Sequence, residues 1–357
     1  MKKYLALMTL ILSSTVYANG GELSANIQNL NGKAGEYVYI PTNGDKISYL
    51  KWDIKNVPML NLGYNYEYDN WEFSIRGRKN IGNNIRSGYM KDYDWFSTAE
   101  ESEPVVLRSG LTKTEAEAMA EEKGKELGIK LDVKKGEDNA DQYVVQYTPQ
   151  EKDRGELSNF SKNKNYVKNI IGLDLTAKYY LKKNDKYKIA PMVGLNYDKF
   201  EFYALGGDQK NFIPGTASYL LIPGDGNKGI TYKQRFMTPY LGMYFDYTIN
   251  SNWEVSLLLK GSAWGRARAK DRHLERGKME SFEKYKSIKY LSSNLSIKYH
   301  WNESLALKYE IELTKYFKNK KSNVRHTDED GKVENIKDLS GISNKTIASS
   351  FGFEYKF

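Results

Sequence analysis

The sequence predicts an all-β fold, a ten-stranded antiparallel transmembrane β-barrel with long extracellular loops and a small α+β insertion in the second loop. Three observations predict it. Apolar and charged side chains alternate with a strict period of two, short connections alternate with long ones, and 29 Tyr, 13 Phe and 6 Trp stand beside 28% charged residues. Mean hydropathy is −0.68, and helices that cross a membrane need about 20 consecutive apolar residues, so a helical membrane protein is excluded. With 40% hydrophobic residues the chain is also poor in core material for a water-soluble fold, although a secreted soluble β protein remains the alternative.

The one apolar run of note, residues 4–12, follows Lys2 and Lys3 and precedes Val16-Tyr17-Ala18, a small-residue cleavage pattern. Residues 1–18 read as a secretory signal peptide, which leaves 19–357 as the mature barrel. The chain has no cysteine, which excludes disulfides, zinc thiolates and a Cys nucleophile. Its formal charge is +9. An exported basic protein meets anionic lipid or acidic polysaccharide before nucleic acid, so no nucleic-acid partner is expected.

The first strand is expected over 23–40. From Trp71, the apolar series Trp71, Phe73, Ile75, Gly77 alternates with Glu72, Ser74, Arg76, Arg78, so one face meets lipid and the other a polar lumen, where Glu72, Arg76, Arg78 and Arg86 point inward and pair. The same alternation starts at Trp253, with Val255, Leu257, Leu259, Gly261 and Ala263 on the lipid side. Short turns fall at Asp69-Asn70, Lys183-Asn184-Asp185, Asn250-Ser251-Asn252 and Trp301-Asn302-Glu303. Aromatic residues such as Tyr66, Tyr68 and Trp71 flank them at girdle depth. Four turns join eight strands, and the first strand and the last, from 345, bring the number to ten, with both termini periplasmic. The chain ends in alternating aromatics, Phe351, Phe353, Tyr355 and Phe357, the usual assembly signal of such barrels. Long loops are expected at 41–46, 88–164, 205–229, 269–281 and 320–344. Within the second, 97–162 reads as a mini-domain. It has a strand at 105–107, a helix over 112–127 with a Thr112-x-x-Glu115 capping box and Gly128 as its stop, then strands at 129–133 and 143–148.

Candidate chemistry is sparse, with three His in all. Asp271 and His273, two apart on a strand, share a face. A carboxylate beside imidazole fixes its tautomer and raises its basicity, which makes a general base. Asp92 and Asp94 share a face likewise, with lumen parity, and close carboxylates share a proton or orient a water. Taken alone, each motif is weak, since a charged pair at a loop base is usually a solvated rim. His300 in a turn and His326 in a charged loop have no motif. Continuing the strand from Trp253 puts Asp271 and His273 on the lipid register, so a β-bulge is expected between Trp264 and Asp271.

Together these residues resemble the omptin family of outer-membrane aspartate/histidine endopeptidases, over most of the mature chain. The resemblance rests on Gly32-Lys33-x-x-Glu36-x-Val38-Tyr39, Leu50-Lys51-Trp52, Met90-x-Asp92-x-Asp94-Trp95, Gly206-Gly207, Tyr232-Lys233-Gln234-Arg235-Phe236, Trp264, Asp271-x-His273 and the terminal aromatic strand. It implies a ten-stranded barrel in the bacterial outer membrane with an extracellular groove. There a water held between His273 and Asp92 attacks the scissile carbonyl, Asp271 orients the imidazole, and Asp92 with Asp94 positions the water, with no covalent intermediate and no metal. Glu36, Met90 and Ala269 stand at substrate-binding positions. Glu36 matches the family's pocket acid, whereas Ala269 replaces its usual acidic companion. Cleavage at or beside basic residues of cationic peptides and surface-exposed proteins is the first expectation, and a relaxed pocket the second.

The resemblance also implies that lipopolysaccharide, the one cofactor expected, is required for activity and held by Arg235 and Lys199, with Leu195 and Tyr197 in place of polar partners. A monomer is expected. The insertion is longer than the corresponding omptin loop and is read as a lid, an exosite or an interaction module. A catalytically silent adhesin acting through that loop is the alternative function, and a narrow pore the third.

Overall fold

The computed structural model describes residues 21–97, 104–136 and 141–357; the leader at 1–18 lies outside them. Ten antiparallel staves close into one barrel. They are β1 (Gly21–Tyr39), β2 (Lys46–Tyr68), a third stave broken into β3 (Trp71–Asn80) and β4 (Ile85–Trp95), β5 (Leu157–Tyr179), β6 (Tyr187–Leu205), β7 (Lys228–Thr248), β8 (Trp253–His273), β9 (Glu280–His300), β10 (Leu305–Asn319) and β11 (Ser340–Lys356). Closure comes from β1, which pairs with β2 and also with β11 from Glu22↔Lys356 to Val38↔Ser340. A closed sheet leaves no backbone donor or acceptor unpaired in hydrocarbon, and that requirement is what the period-two pattern serves.

The outward face carries an apolar belt that includes Ile75, Leu175, Val193, Leu241, Leu259 and Leu295. Towards the long loops it turns basic, with Arg235, Arg266, Arg268, Lys284, Lys289 and Lys345 exposed. Inside, the lower lumen is polar and paired. Glu72 meets Lys178 at 2.5 Å, Asp174 meets Lys260 at 2.8 Å, and Asp198 meets Arg78 at 2.7 Å. Above this the lumen is plugged by aromatic residues. Trp52, Phe202, Tyr232, Phe236 and Tyr316 are nearly inaccessible, each worth about 1.5–3 kcal/mol on burial, and they form the floor of the cleft at the long-loop end.

Several expected boundaries move. The strands climb further above the belt than periodicity implied, so β8 runs through His273 and the loop expected at 269–281 shrinks to 274–279. The loops at 205–229 and 320–344 contain hairpins of their own, Gln209–Phe212 with Tyr219–Ile222 and Ser322–Thr327 with Val333–Lys337. Arg86, expected to point inward, is exposed and lies over the Tyr89 ring at 4.7 Å. The break between β3 and β4 inverts the parity of the third stave, so Ser87 becomes the buried residue. An extra residue between Arg86 and Tyr89 then inverts it again.

The insertion folds into a separate sheet, Val105–Leu111, Tyr143–Tyr147 and Asp132–Lys135 in spatial order, with one helix, Lys113–Leu127. Thr112 and Glu115 form the capping box, and Gly128 ends the helix in the left-handed region at φ 70°. Gly124 is unfavourable within a helix, but a Cβ there would lie 2.9 Å from the Ile129 carbonyl oxygen. Barrel strand β5 begins at Leu157, before the expected limit of 162.

Candidate active site

Two strand irregularities set the site. Between Gly261 and Arg266, β8 holds one residue more than β7 does between Met237 and Leu241. Ala263 and Trp264 consequently both face outward, and from Gly265 the odd positions face in. The expected bulge therefore exists but lies just before its expected position. It turns Ala269, Asp271 and His273 from the lipid register to the lumen. On β4 the counterpart is Gly88 at φ 67°, where a Cβ would come 2.7 Å from Asp53 Cβ. The Asp53 carboxylate accepts from the Tyr89 N–H at 3.2 Å, which locks the bulge that aims Met90, Asp92 and Asp94 inward.

His273 Nε2 lies 2.9 Å from Asp271 Oδ2. Asp271 is 6% exposed, and its other oxygen has no hydrogen-bond partner among the described residues. Across the cleft, Ser48 donates its hydroxyl to Asp92 Oδ1 at 3.3 Å. Burial, then the Asp94 charge, holds Asp92 well above the usual carboxylate range. Burial raises Asp94 too, against the Ser48 hydrogen bond and the charges of Arg276 and His273. Asp92 and His273 line one cavity of about 270 Å³, together with Met90, Asn163, Ile230 and Arg276. Its size admits several waters or a peptide group.

Deeper in the cleft, Glu36 accepts from Trp52 Nε1 at 3.4 Å, and Trp52 is stacked on Phe202 and Tyr232 at 5.7 Å each. Burial, followed by the like charges of Asp271 and Glu283, pushes Glu36 well up. Met90 is 2% exposed and receives Asn163 Nδ2 on its sulfur at 3.8 Å. Ala269 is buried on the same inward face and stands opposite Gln234 on one side and Glu283 on the other. Gln234 spans the cleft base, donating to the carbonyls of Gly35 and Ser343 at 3.2 Å each and accepting from Asn344 at 3.0 Å. The Tyr-Lys-Gln-Arg-Phe run thus divides its work. Tyr232, Gln234 and Phe236 brace the interior, while Lys233 and Arg235 face out.

Arg235 is exposed and stands beside Lys199 and Arg268 in register. Lys199 is tied to Glu201 at 2.7 Å. The other two histidines do not line the cleft cavity: His300 faces Glu254 at 3.6 Å in the lower lumen, and His326 meets Ser281 Oγ at 3.0 Å, two strands across from Asp271. Sequence reasoning missed Glu283. It is 3% exposed, it accepts from the Tyr285 hydroxyl, and burial above all lifts it to about 8. The alternation of Phe282, Lys284 and Lys286 with Glu283 and Tyr285 was the available signal, and it marks an inward acid without saying what lies across from it.

The Omptin family model matches residues 19–116 and 129–357. The plasminogen activator of Yersinia pestis is 25% identical over 372 residues, covering 100% of both chains. The outer membrane protease OmpP of Escherichia coli is 24% identical, over 93% of this chain and 89% of its own. The crystal structure of the outer membrane protease OmpT from Escherichia coli superposes with a TM-score of 0.74 at 19% identity, covering 96% of this chain and 98% of that one. The chain belongs to the omptin family of outer-membrane proteases.

Proposed function

We propose that the protein is an outer-membrane endopeptidase that cleaves at or beside basic residues of cationic peptides and surface-exposed proteins, with a water activated between His273 and Asp92. The observation that carries this reading is the shared cavity lined by His273 and Asp92, with the imidazole held from behind by Asp271.

With Nε2 engaged by Asp271, Nδ1 is the nitrogen left to take the water proton. The hydroxide equivalent adds to the scissile carbonyl carbon, and the imidazolium, stabilised by Asp271, returns the proton to the leaving nitrogen as the C–N bond breaks. No covalent acyl-enzyme forms. Asp92, whose carboxyl burial and Asp94 favour in the protonated form, donates a hydrogen bond where negative charge develops, and Asp94 orients it. The acidic cleft, with Glu36 at its base, attracts cationic side chains, and Met90 and Ala269 shape the pocket around them. Arg235 and Lys199 on the outer wall would hold lipopolysaccharide, which would serve as the required cofactor, and the enzyme works as a monomer.

The test is hydrolysis of a quenched dibasic peptide by refolded protein with lipopolysaccharide. Asp92→Ala and His273→Ala are each expected to lower kcat by roughly 10²–10⁴, the range of one general acid or base. Unchanged rates in both variants would remove the assignment. Omitting lipopolysaccharide, or replacing Arg235 with Ala, is expected to lower activity; equal rates with and without it would exclude the cofactor role.

A further inference from the structure

In the lower lumen most buried carboxylates are neutralised by a cation of the chain itself, as Glu72 is by Lys178, Asp174 by Lys260 and Asp198 by Arg78, while Asp246 is held by the Tyr244 hydroxyl instead. The cleft departs from this rule. Glu36, Asp271 and Glu283 are 4%, 6% and 3% exposed. Among the described residues neither Glu36 nor Glu283 forms an ion pair with a Lys or Arg, and the leading charges on Glu36 are Asp271 and Glu283 and on Glu283 Asp271. Asp271 Oδ1 is buried without a hydrogen-bond partner among the described residues. Buried carboxyls with no cation beside them are driven toward the neutral acid, and a cation brought from outside favours their ionised form.

Glu283 reaches this cluster through strand register. Ala269 on β8 stands opposite Glu283 on β9, and a methyl at 269 leaves room for the longer acid of the neighbouring strand. The Glu283 carboxylate is anchored, since the Tyr285 hydroxyl donates to it and is itself 2.9 Å from Ser340 Oγ. We infer that Glu283 supplies, from β9, the second carboxylate of a specificity pocket whose first is Glu36, and that the two together select an Arg or Lys side chain of the substrate. This rests on the endopeptidase reading above and adds a residue that the family motifs do not mark in this chain. A guanidinium bridging two carboxylates gains charge-assisted hydrogen bonds to both, whereas a neutral isostere leaves both buried and unpaired.

The experiment compares kcat/KM for two quenched peptides that differ only in Arg against citrulline before the cleaved bond, with refolded protein whose closed barrel is verified by heat-modifiable gel mobility. Glu283→Gln is expected to lower the Arg-to-citrulline ratio roughly tenfold to hundredfold, the loss of one hydrogen bond to a charged group, chiefly through KM. Glu283→Asp is expected to fall between the two, and adding Ala269→Asp to Glu283→Gln to restore the ratio. If the ratio falls in Glu36→Gln but not in Glu283→Gln, Glu283 has no such role while the endopeptidase reading stands. A wild-type ratio near one, or no hydrolysis of either peptide, would overturn the proposal together with the basic preference on which it rests.

Discussion

In the proposed mechanism Asp271 and His273 act as one unit because a buried carboxylate, 2.9 Å from Nε2, fixes the ring it faces. Asp271→Asn keeps the shape but offers no negative charge to an imidazolium, so kcat is expected to fall by roughly a hundredfold or more with KM little changed. A proportional rise in KM instead would mark Asp271 as a binding group. Glu283 has a different signature. Burial, the largest cause, lifts its carboxyl from 4.5 to about 8, aided by the Asp271 charge and opposed by hydrogen bonds from Tyr285 and Ser340. The folded state therefore holds a proton that the unfolded chain releases. Its contribution to stability is intact below about 4.5 and is lost as pH rises through about 8. Melting of the detergent-refolded barrel between about pH 5 and pH 9 is expected to show a falling Tm that Glu283→Gln flattens. Parallel curves for the two proteins would contradict this. Of these residues, the i, i+2 acids and the His were legible in the sequence because adjacency within a strand is one-dimensional. Glu283 was not, because its partners come from other strands and depend on register.

Among the elements, the two bulges decide whether the site exists. A period-two reading put Asp271 and His273 on the lipid face and inferred a bulge, but bulge position has no strong sequence mark. Two neighbours that both face outward, Ala263 and Trp264, look like ordinary strand residues. On the third stave the expected lumen parity of Asp92 matches the inward face reached, yet through two inversions that cancel, one at the β3–β4 break and one at Gly88, and Arg86 between them was misplaced for that reason. Gly88→Ala forces a Cβ against Asp53 in a left-handed conformation, costing about 1–3 kcal/mol locally. The expected result is a barrel that still forms, with hydrolysis reduced at least tenfold as Asp92 loses its aim. Full activity in Gly88→Ala would show that the bulge does not position the acid pair.

For the whole molecule, a polar paired lumen, an aromatic plug and a cleft open at the long-loop end divide the barrel into membrane anchor, floor and reaction chamber. The barrel itself was readable from alternation and turn spacing, since lipid imposes the same rule on every stave. The loops were less so, because above the membrane no such rule holds and hairpins such as Tyr219–Ile222 form by local pairing. The insertion has its own small core, which Phe96 of the barrel rim and Leu220 of that hairpin join, and Ile222 lines the cleft cavity. Replacing residues 98–155 with a short turn is expected to leave the barrel folded and peptide hydrolysis within a few-fold of the full chain. The 209–222 hairpin would become more susceptible to added trypsin once Leu220 loses its cover. Undiminished protection of the hairpin would show that the insertion does not support it.

The most direct measurement is a double-mutant cycle on kcat with His273→Ala, Asp92→Ala and the combined variant, using the dibasic peptide. If both groups hold one water, each single change removes nearly all of the rate and the combined variant is no slower than the worse single one. Losses that multiply in the combined variant would mean that the two side chains act independently and that no water is shared between them.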